Sequence, residues 1–515
     1  MKQKSKWTNM IIFAAILVFL NLVSISIFTR LDISQGKVYS LSSSSKDIVK
    51  HLDDRVLVKA YFSKNLPSQY ADLRRYVEDM LDEYAAYGKG NFKFEFIDPT
   101  DEDELKQEAQ QNMIQPATMR VNENDQLVIR EVFMGLAFHY HDKTESIPIV
   151  QNSQGLEYDI TSKIKKITEA SMLKVGFFAL DDTEPDPRYP RPGKYDTIKL
   201  LIGESYEMVS TQLEEELNNI SVLVFAGISE DLTDIQLQNL DKFIVQGGKV
   251  LFFQDRVEAN LQNQTAKILD INLFNLLQHY GIIVKENLVA DAKCGQISIQ
   301  RRQGIFNMNT PVNYPYLPLI SNLNEDHPIT KNIDLVQNIF ASELDTLQTT
   351  LKFQSLFTSS DNSGVTAAPN MNIRIDQYLQ KDLRMMLLEG RKTLGGIYSG
   401  EVKSMYPANN LKSKDTEIIF VADSDFILNG GGASAEGNMN FFINSIDYLS
   451  GQKALISIRS RETIYRPLKE VTNSQKDMIK YFNVVLPTLL LILMGIFIHR
   501  KEVKRRKQIG EVYEQ

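Results

Sequence analysis

Two hydrophobic runs bracket this chain, nineteen residues from Met10 to Phe28 (MIIFAAILVFLNLVSISIF) and eighteen from Phe482 to His499 (FNVVLPTLLLILMGIFIH). Each is long enough to cross a bilayer. Lys2, Lys4 and Lys6 precede the first run, and Arg500, Lys501, Lys504, Arg505, Arg506 and Lys507 follow the second. Basic residues beside a span stay on the cytoplasmic side. The expected topology is therefore two spans, 10–28 and 482–499, with the tails 1–9 and 500–515 inside and everything between them outside. A cleaved signal peptide is the alternative for the first run, but its apolar stretch exceeds a typical signal core and no small-x-small site closes it. Pro487 interrupts the second run, which a membrane helix tolerates when neighbours satisfy the freed carbonyl. Pro487 and Gly495 mark the face of that helix expected to pack closely on a partner helix.

The region between the runs is too long for one core, so two to four domains are expected. The chain carries a net charge of −8, each tail contributes +3, and the outer region is left with −14. Such an acidic exterior argues against nucleic acid, whose phosphates call for clustered Lys and Arg. Cys294 is the single cysteine, so no internal disulfide forms, a composition compatible with an oxidising compartment.

Residues 30–54 read as a linker and a short helix capped in the run LSSSS. From 55 to 152 the pattern is VLVKAYFS, a helix over 67–87, FKFEFID, an acid-led helix, and strands in IQPATMRV, QLVIREVFMGLAFHY and TESIPIV. The order β-α-β-α-β-β resembles the thioredoxin-like arrangement, with Gln115-Pro116 where that fold sets a cis-proline. The Cys-x-x-Cys of thioredoxin chemistry is missing, since SKNLPSQY stands in its place. A scaffold or binding module is expected.

From 153 to 286 the apolar strands LKVGFFAL, ISVLVFAG and GGKVLFFQD alternate with helices, including ones expected at 212–217 and 266–280. Continuous apolar strands between helices predict a doubly wound parallel α/β sheet covered on both faces. Residues 287–407 read as a β-rich insertion or lobe. TEIIFVADSDFILN opens a stretch, 408–458, that completes the sheet, and 459–481 is a membrane-proximal connector.

Acidic residues end the apolar strands: Asp181 and Asp182, Asp255, and Asp423 with Asp425. Ligands of open α/β sheets sit beyond the strand C-termini, which makes these the candidate ligand-binding residues; caps on free N–H groups are the structural alternative. His139 and His141 are expected on one strand face, yet no third ligand lies in reach and there is no HExxH, so no metal site is expected. Cys294 lies in AKCGQISI, which leads into a strand rather than the strand-to-helix elbow of a nucleophile. Gly430 to Gly432 lack the lysine and Ser/Thr of a P-loop and read as a flexible connection. The tyrosines of NYPYLPLI are expected to pack on their own domain rather than form a platform. No catalytic residue and no cofactor emerge.

Several segments together resemble one known family: RLDISQGKVYSLSSSSKDIV after the first run, VKAYFSKNLPSQY, EFIDPTDED, LDKFIVQGGKVLFFQD, and VADSDFILN with GNMNFFINSIDYLSG. They are similar to the auxiliary, often termed substrate-binding, component of the ABC transport system associated with gliding motility, the G component of the Gld family. The resemblance covers nearly the whole chain and rests on structural motifs. It implies a non-enzymatic subunit of the bacterial inner membrane, its bulk periplasmic. The implied partners are an ABC permease and its ATPase, in the company of the gliding and secretion apparatus. The central domain also resembles glutamine-amidotransferase-like domains that lack the catalytic Cys-His arrangement. A periplasmic receptor for the transporter, or a carboxylate-dependent enzyme acting on glycan or peptide, are the alternatives.

Overall fold

The computed structural model describes residues 40–513 except 68–69, 124–125, 154, 170, 180–192, 304–305, 348, 380, 407–410 and 463–472, together with 12, 13 and 16. Residues 1–463 form one compact unit and 464–515 a second. The hydrophobic run 10–28 lies outside the described residues apart from Ile12, Phe13 and Ile16, which are helical and exposed.

The first unit opens with α1 (Ser43–Lys50), whose N-cap Ser42 accepts from the Ser45 amide. Then come β1 (Val56–Phe62), α2 (Ala71–Tyr87), β2 (Phe92–Ile97), α3 (Asp103–Gln111), β3 (Ala117–Glu123), β4 (Gln126–Val132), β5 (Met134–Tyr140), β6 (Lys143–Ile147) and α4 (Leu156–Thr168). A four-stranded sheet runs β2-β1-β5-β6, parallel between β1 and β2 and antiparallel elsewhere. Val56, Val58, Ala60 and Phe62 alternate onto one face, where Leu73, Val77, Leu81 and Tyr84 of α2 and Ile160, Ile164 and Ile167 of α4 cover them. The run expected as one long strand, QLVIREVFMGLAFHY, is divided: β4 leaves to pair with β3 as a separate hairpin. The Gln115-Pro116 bond is not cis; the cis peptide among the described residues is Ala368-Pro369.

The chain continues through β7 (Lys174–Phe178), α5 (Asp196–Ser205), β8 (Glu207–Ser210), β9 (Val222–Ala226), α6 (Asp234–Val245), β10 (Lys249–Phe253), β11 (Val257–Asn260), β12 (Thr265–Ile268), α7 (Leu273–Tyr280), β13 (Ile282–Val284) and β14 (Asn287–Asp291). Next are β15 (Cys294–Gln303), β16 (Phe306–Ile320), β17 (Asn322–Leu323), β18 (Val336–Gln337), β19 (Leu344–Thr346), β20 (Lys352–Thr358), β21 (Ser363–Ala367) and α8 (Leu383–Met386). The unit closes with β22 (Thr393–Glu401), β23 (Asp415–Val421), α9 (Glu436–Leu449) and α10 (Lys453–Glu462).

An eight-stranded sheet, β17-β20-β22-β23-β10-β9-β7-β8, forms the centre. The five strands from β23 to β8 are mutually parallel. The sheet is mixed rather than all parallel, because β22 and β20 extend it antiparallel. The continuous apolar strands are explained by burial on both faces. The rings of Phe225, Phe252 and Phe420 pack in a row across neighbouring strands, 5.1 and 5.6 Å apart, beneath α6 and α7. Phe253 and Val421 meet Phe441, Phe442 and Ile446 of α9 on the other face. α9 is correspondingly buried nearly all round.

Two expected helices differ. Residues 212–217 are irregular: the carbonyls of Gln212 and Leu213 are taken by Gln236 and Asn239 of α6, and Leu213 has φ 58°. The helix expected at 266–280 begins only at Leu273, since Thr265–Ile268 pair with Val257–Asn260 as a hairpin. The described part of the second unit is one helix, α11 (Asn473–Tyr513), interrupted by no break at Pro487. Its stretch Lys480–Val503 is 24 residues of mean hydropathy 2.3 and wholly exposed, long and apolar enough to cross a membrane.

Candidate functional site

Three of the five strand-end aspartates come together beyond β10 and β23. Asp181 and Asp182 lie outside the described residues. Asp423 follows β23 and is fully enclosed, whereas Asp255 and Asp425 keep part of their surface at solvent. Asp255 accepts from the Ser424 amide at 2.8 Å and its hydroxyl at 2.5 Å, tying the ends of two strands. Asp423 Oδ2 accepts from Ile339 N at 2.7 Å and Asn338 Nδ2 at 3.1 Å, while Oδ1 has no partner. Gly227 closes the neighbouring strand end at φ 52°, and a Cβ there would stand 2.6 Å from Ser424 Cβ.

Burial, and after it Asp425, pushes Asp255 up to about 7. Burial, then Asp255 and Asp425, holds Asp423 well above the usual carboxylate range, and burial raises Asp425. Carboxylates so placed share protons rather than all ionise. Two of the three are committed to backbone and serine donors of the fold. Among the described residues, no group of three or more His, Cys, Asp or Glu is arranged to hold a metal ion.

The other sequence candidates are structural. His141 is not on the strand with His139; β5 ends at Tyr140 and His141 sits in the turn at φ 49°, 3.5 Å from Asp54. His139 bonds Thr144, and burial, then Lys59, lowers its pKa. Burial and then Asp291 push the Cys294 thiol up to about 11, the opposite of an activated nucleophile. Tyr314 and Tyr316 are fully buried, bonded to Ile373 O and Tyr378. Gly430 to Gly432 form a packed turn against Phe426, where a Cβ on Gly432 would lie 2.3 Å from the Phe426 carbonyl.

A second constellation was not read from the sequence. Glu157 of α4 is buried, and its Oε1 accepts from Ser42 N at 2.7 Å and Ser45 Oγ at 2.6 Å. Arg459 of α10 lies 4.0 Å over the Tyr158 ring, bonds Asn444, and pairs with buried Asp447 at 3.1 Å. Asp447 also accepts from Tyr206. The available signal was an acid one helical turn from apolar partners, Glu157 before Ile160 and Asp447 after Ile443.

Comparison with known proteins bears on the middle of the chain. A family described as an ABC-type uncharacterized transport system matches residues 173–450, more than half of the sequence. The chain belongs to this ABC transport family. That membership carries an accessory role in a transport system and association with ABC transporter components. A domain of unknown function matches residues 35–139. A protein of Borreliella burgdorferi, itself uncharacterized, is 25% identical over 507 residues, covering 94% of this chain and 95% of its own. Among solved structures, the mmIFT52 N-terminal domain shares 12% identity at a TM-score of 0.33, covering 54% of this chain and 97% of that one. A β-galactosidase from the haloarchaeon Halorubrum lacusprofundi shares 12% at 0.25, covering 78% and 47%. Likenesses so slight bear on neither fold nor function of this member of the ABC transport family.

Proposed function

We propose that the protein is a non-enzymatic auxiliary subunit of an ABC transporter in the bacterial inner membrane. In this reading α11 and the run 10–28 anchor it, and the rest lies in the periplasm. The family match over residues 173–450 carries the reading. Further support comes from the meeting of α1, which follows the first run, with α10, which precedes α11: Ser44 Oγ and Ser457 Oγ are 2.7 Å apart. A body whose two ends meet suits attachment to one membrane face. We read the β2-β1-β5-β6 region as a thioredoxin-like scaffold without redox chemistry, and the central sheet as amidotransferase-like and inactive, in keeping with the high pKa of Cys294. The resemblance of the segments quoted above to the gliding-motility component sets the transporter in that machinery. α11, through the surface bearing Pro487 and Gly495, docks on the permease and passes its ATP-driven rearrangement outward. Purification of the tagged protein from its native membrane in mild detergent, followed by mass spectrometry, tests this. An ABC permease with its ATPase is expected; recovery of the protein alone, with both partners expressed, overturns the reading.

One observation favours a receptor role beside it. A groove of about 560 Å³ on the N-terminal region is lined by Tyr70, Asp72, Arg75, Tyr76, Asp79 and Asn152, within the size range of ligand pockets. A saturable ligand of such a groove raises the melting temperature of the full chain.

A further inference from the structure

The groove beside α2 is built from one stripe of that helix and one short stretch of loop. Asp72, Arg75, Tyr76 and Asp79 recur about one helical turn apart, the spacing that puts side chains on a common face. Leu73 and Val77, on the neighbouring face, are buried in the N-terminal core and fix the helix. Tyr70, the N-cap residue of α2, and Tyr76 pack against the same core, so both rings are held at the groove. Residues 151–153, with the sequence Gln-Asn-Ser, complete the lining. Just before them Ile149 packs on the core and the Val150 N–H donates to the Met134 carbonyl at 2.6 Å, which anchors that stretch. Asp72 and Arg75 are exposed, and among the described residues neither takes a hydrogen bond or an ion pair.

This lining selects by chemistry. The carboxylates of Asp72 and Asp79 oppose an anion, and the guanidinium of Arg75 between them opposes a cation. An extended peptide is recognised along an unpaired strand edge, and no strand is among the described residues of the lining. A neutral ligand rich in hydroxyls meets every group present. Carboxylate, guanidinium and amide are planar groups that can each bond two neighbouring hydroxyls, and the negative face of a tyrosine ring suits the C–H edges of a sugar. We infer, on the receptor role proposed above, that the groove binds a neutral di- or trisaccharide, with Asp72 and Arg75 on adjacent hydroxyls and Tyr70 and Tyr76 against the sugar faces. Its volume of about 560 Å³ accommodates such a ligand.

Isothermal titration calorimetry on the full chain, in a detergent without a sugar headgroup, tests it with cellobiose, maltotriose and N,N′-diacetylchitobiose, and in parallel with the dipeptides dialanine, lysylalanine and glutamylalanine. Saturable binding of at least one saccharide is expected, weakened about tenfold by Asp72→Ala and about tenfold by Arg75→Ala, the loss of one charge-assisted hydrogen bond in each. Both positions are exposed, so each variant is expected to keep the parent melting temperature without ligand, which separates a lost contact from a lost fold. Saccharide binding that both variants leave intact overturns the assignment to this groove. Dipeptides bound in place of saccharides overturn the ligand class and leave the receptor role standing. Silence from both sets overturns both.

Discussion

The carboxylate of Glu157 caps a helix 115 positions before it, accepting the backbone N–H of Ser42 at 2.7 Å. Ser45 adds its hydroxyl to the same oxygen at 2.6 Å. An anion at a helix N-terminus is favoured by the helix dipole, and charge-assisted bonds in a buried site are the strong ones. Glu157→Gln keeps the shape, loses the charge and leaves an amide group facing donors. It is expected to cost about 1–3 kcal/mol, read as a lower denaturation midpoint, with α1 the first helix to lose exchange protection. An unchanged midpoint and unchanged protection would show the cap to be dispensable.

The aspartate cluster makes stability depend on pH in a stated direction. Aspartates of the unfolded chain titrate near 3.9, whereas burial and mutual repulsion raise Asp423 and hold Asp255 at about 7 in the fold. Between those limits the native state binds more protons than the unfolded one, so this contribution falls as pH rises from about 4 to about 7. Asp423→Asn removes the ionising group and retains an acceptor for Ile339 N. The variant is expected to melt a few degrees above the parent at pH 8, roughly 2–4 °C for each kcal/mol relieved, with the gain shrinking towards pH 4. A gain of the same size at both pH values contradicts the assignment.

Cys294 should be a poor nucleophile. With its thiol pushed up to about 11, alkylation by iodoacetamide at pH 7.5 is expected to run about 100-fold slower than for an ordinary cysteine of pKa near 8.5. The rate should climb about tenfold per pH unit up to pH 10, following the thiolate fraction. Rates equal to those of a free peptide thiol at pH 7.5 refute this.

Gly437 lets the chain before β18 cross the first turn of α9. A Cβ there would stand 1.8 Å from the carbonyl oxygen of Leu335, so the backbone must separate. Gly437→Ala is expected to destabilise the chain by about 1–3 kcal/mol or more despite the higher helix propensity of alanine. Chemical denaturation measures it, and a stabilised variant would contradict the close approach.

The apolar runs that became β7, β9, β10 and β23 were legible because burial on both faces leaves no polar alternation to confuse with a surface strand. β22 was not. Its glycines lower strand propensity, yet they are what the sheet needs: a Cβ on Gly395 would lie 2.3 Å from the Phe357 ring, and one on Gly396 2.4 Å from the Phe353 ring. The same rule of strand ends located Asp255, Asp423 and Asp425. Their commitments were hidden, since Asp423 bonds Ile339, 84 positions away, and Asp255 bonds Ser424, 169 away. Arg459, Asp447 and Glu157 escaped for a related reason: helical periodicity tells which face is covered, not which distant charge arrives there to meet an acid.

The contact between Ser44 and Ser457, 413 positions apart, brings α1 and α10 side by side. A cut between α4 and β7 leaves the two pieces joined through the contacts of α1 and α4 with α10, because the N-terminal and central sheets share no strand. Loops between those points can lengthen or acquire new modules without parting these two helices.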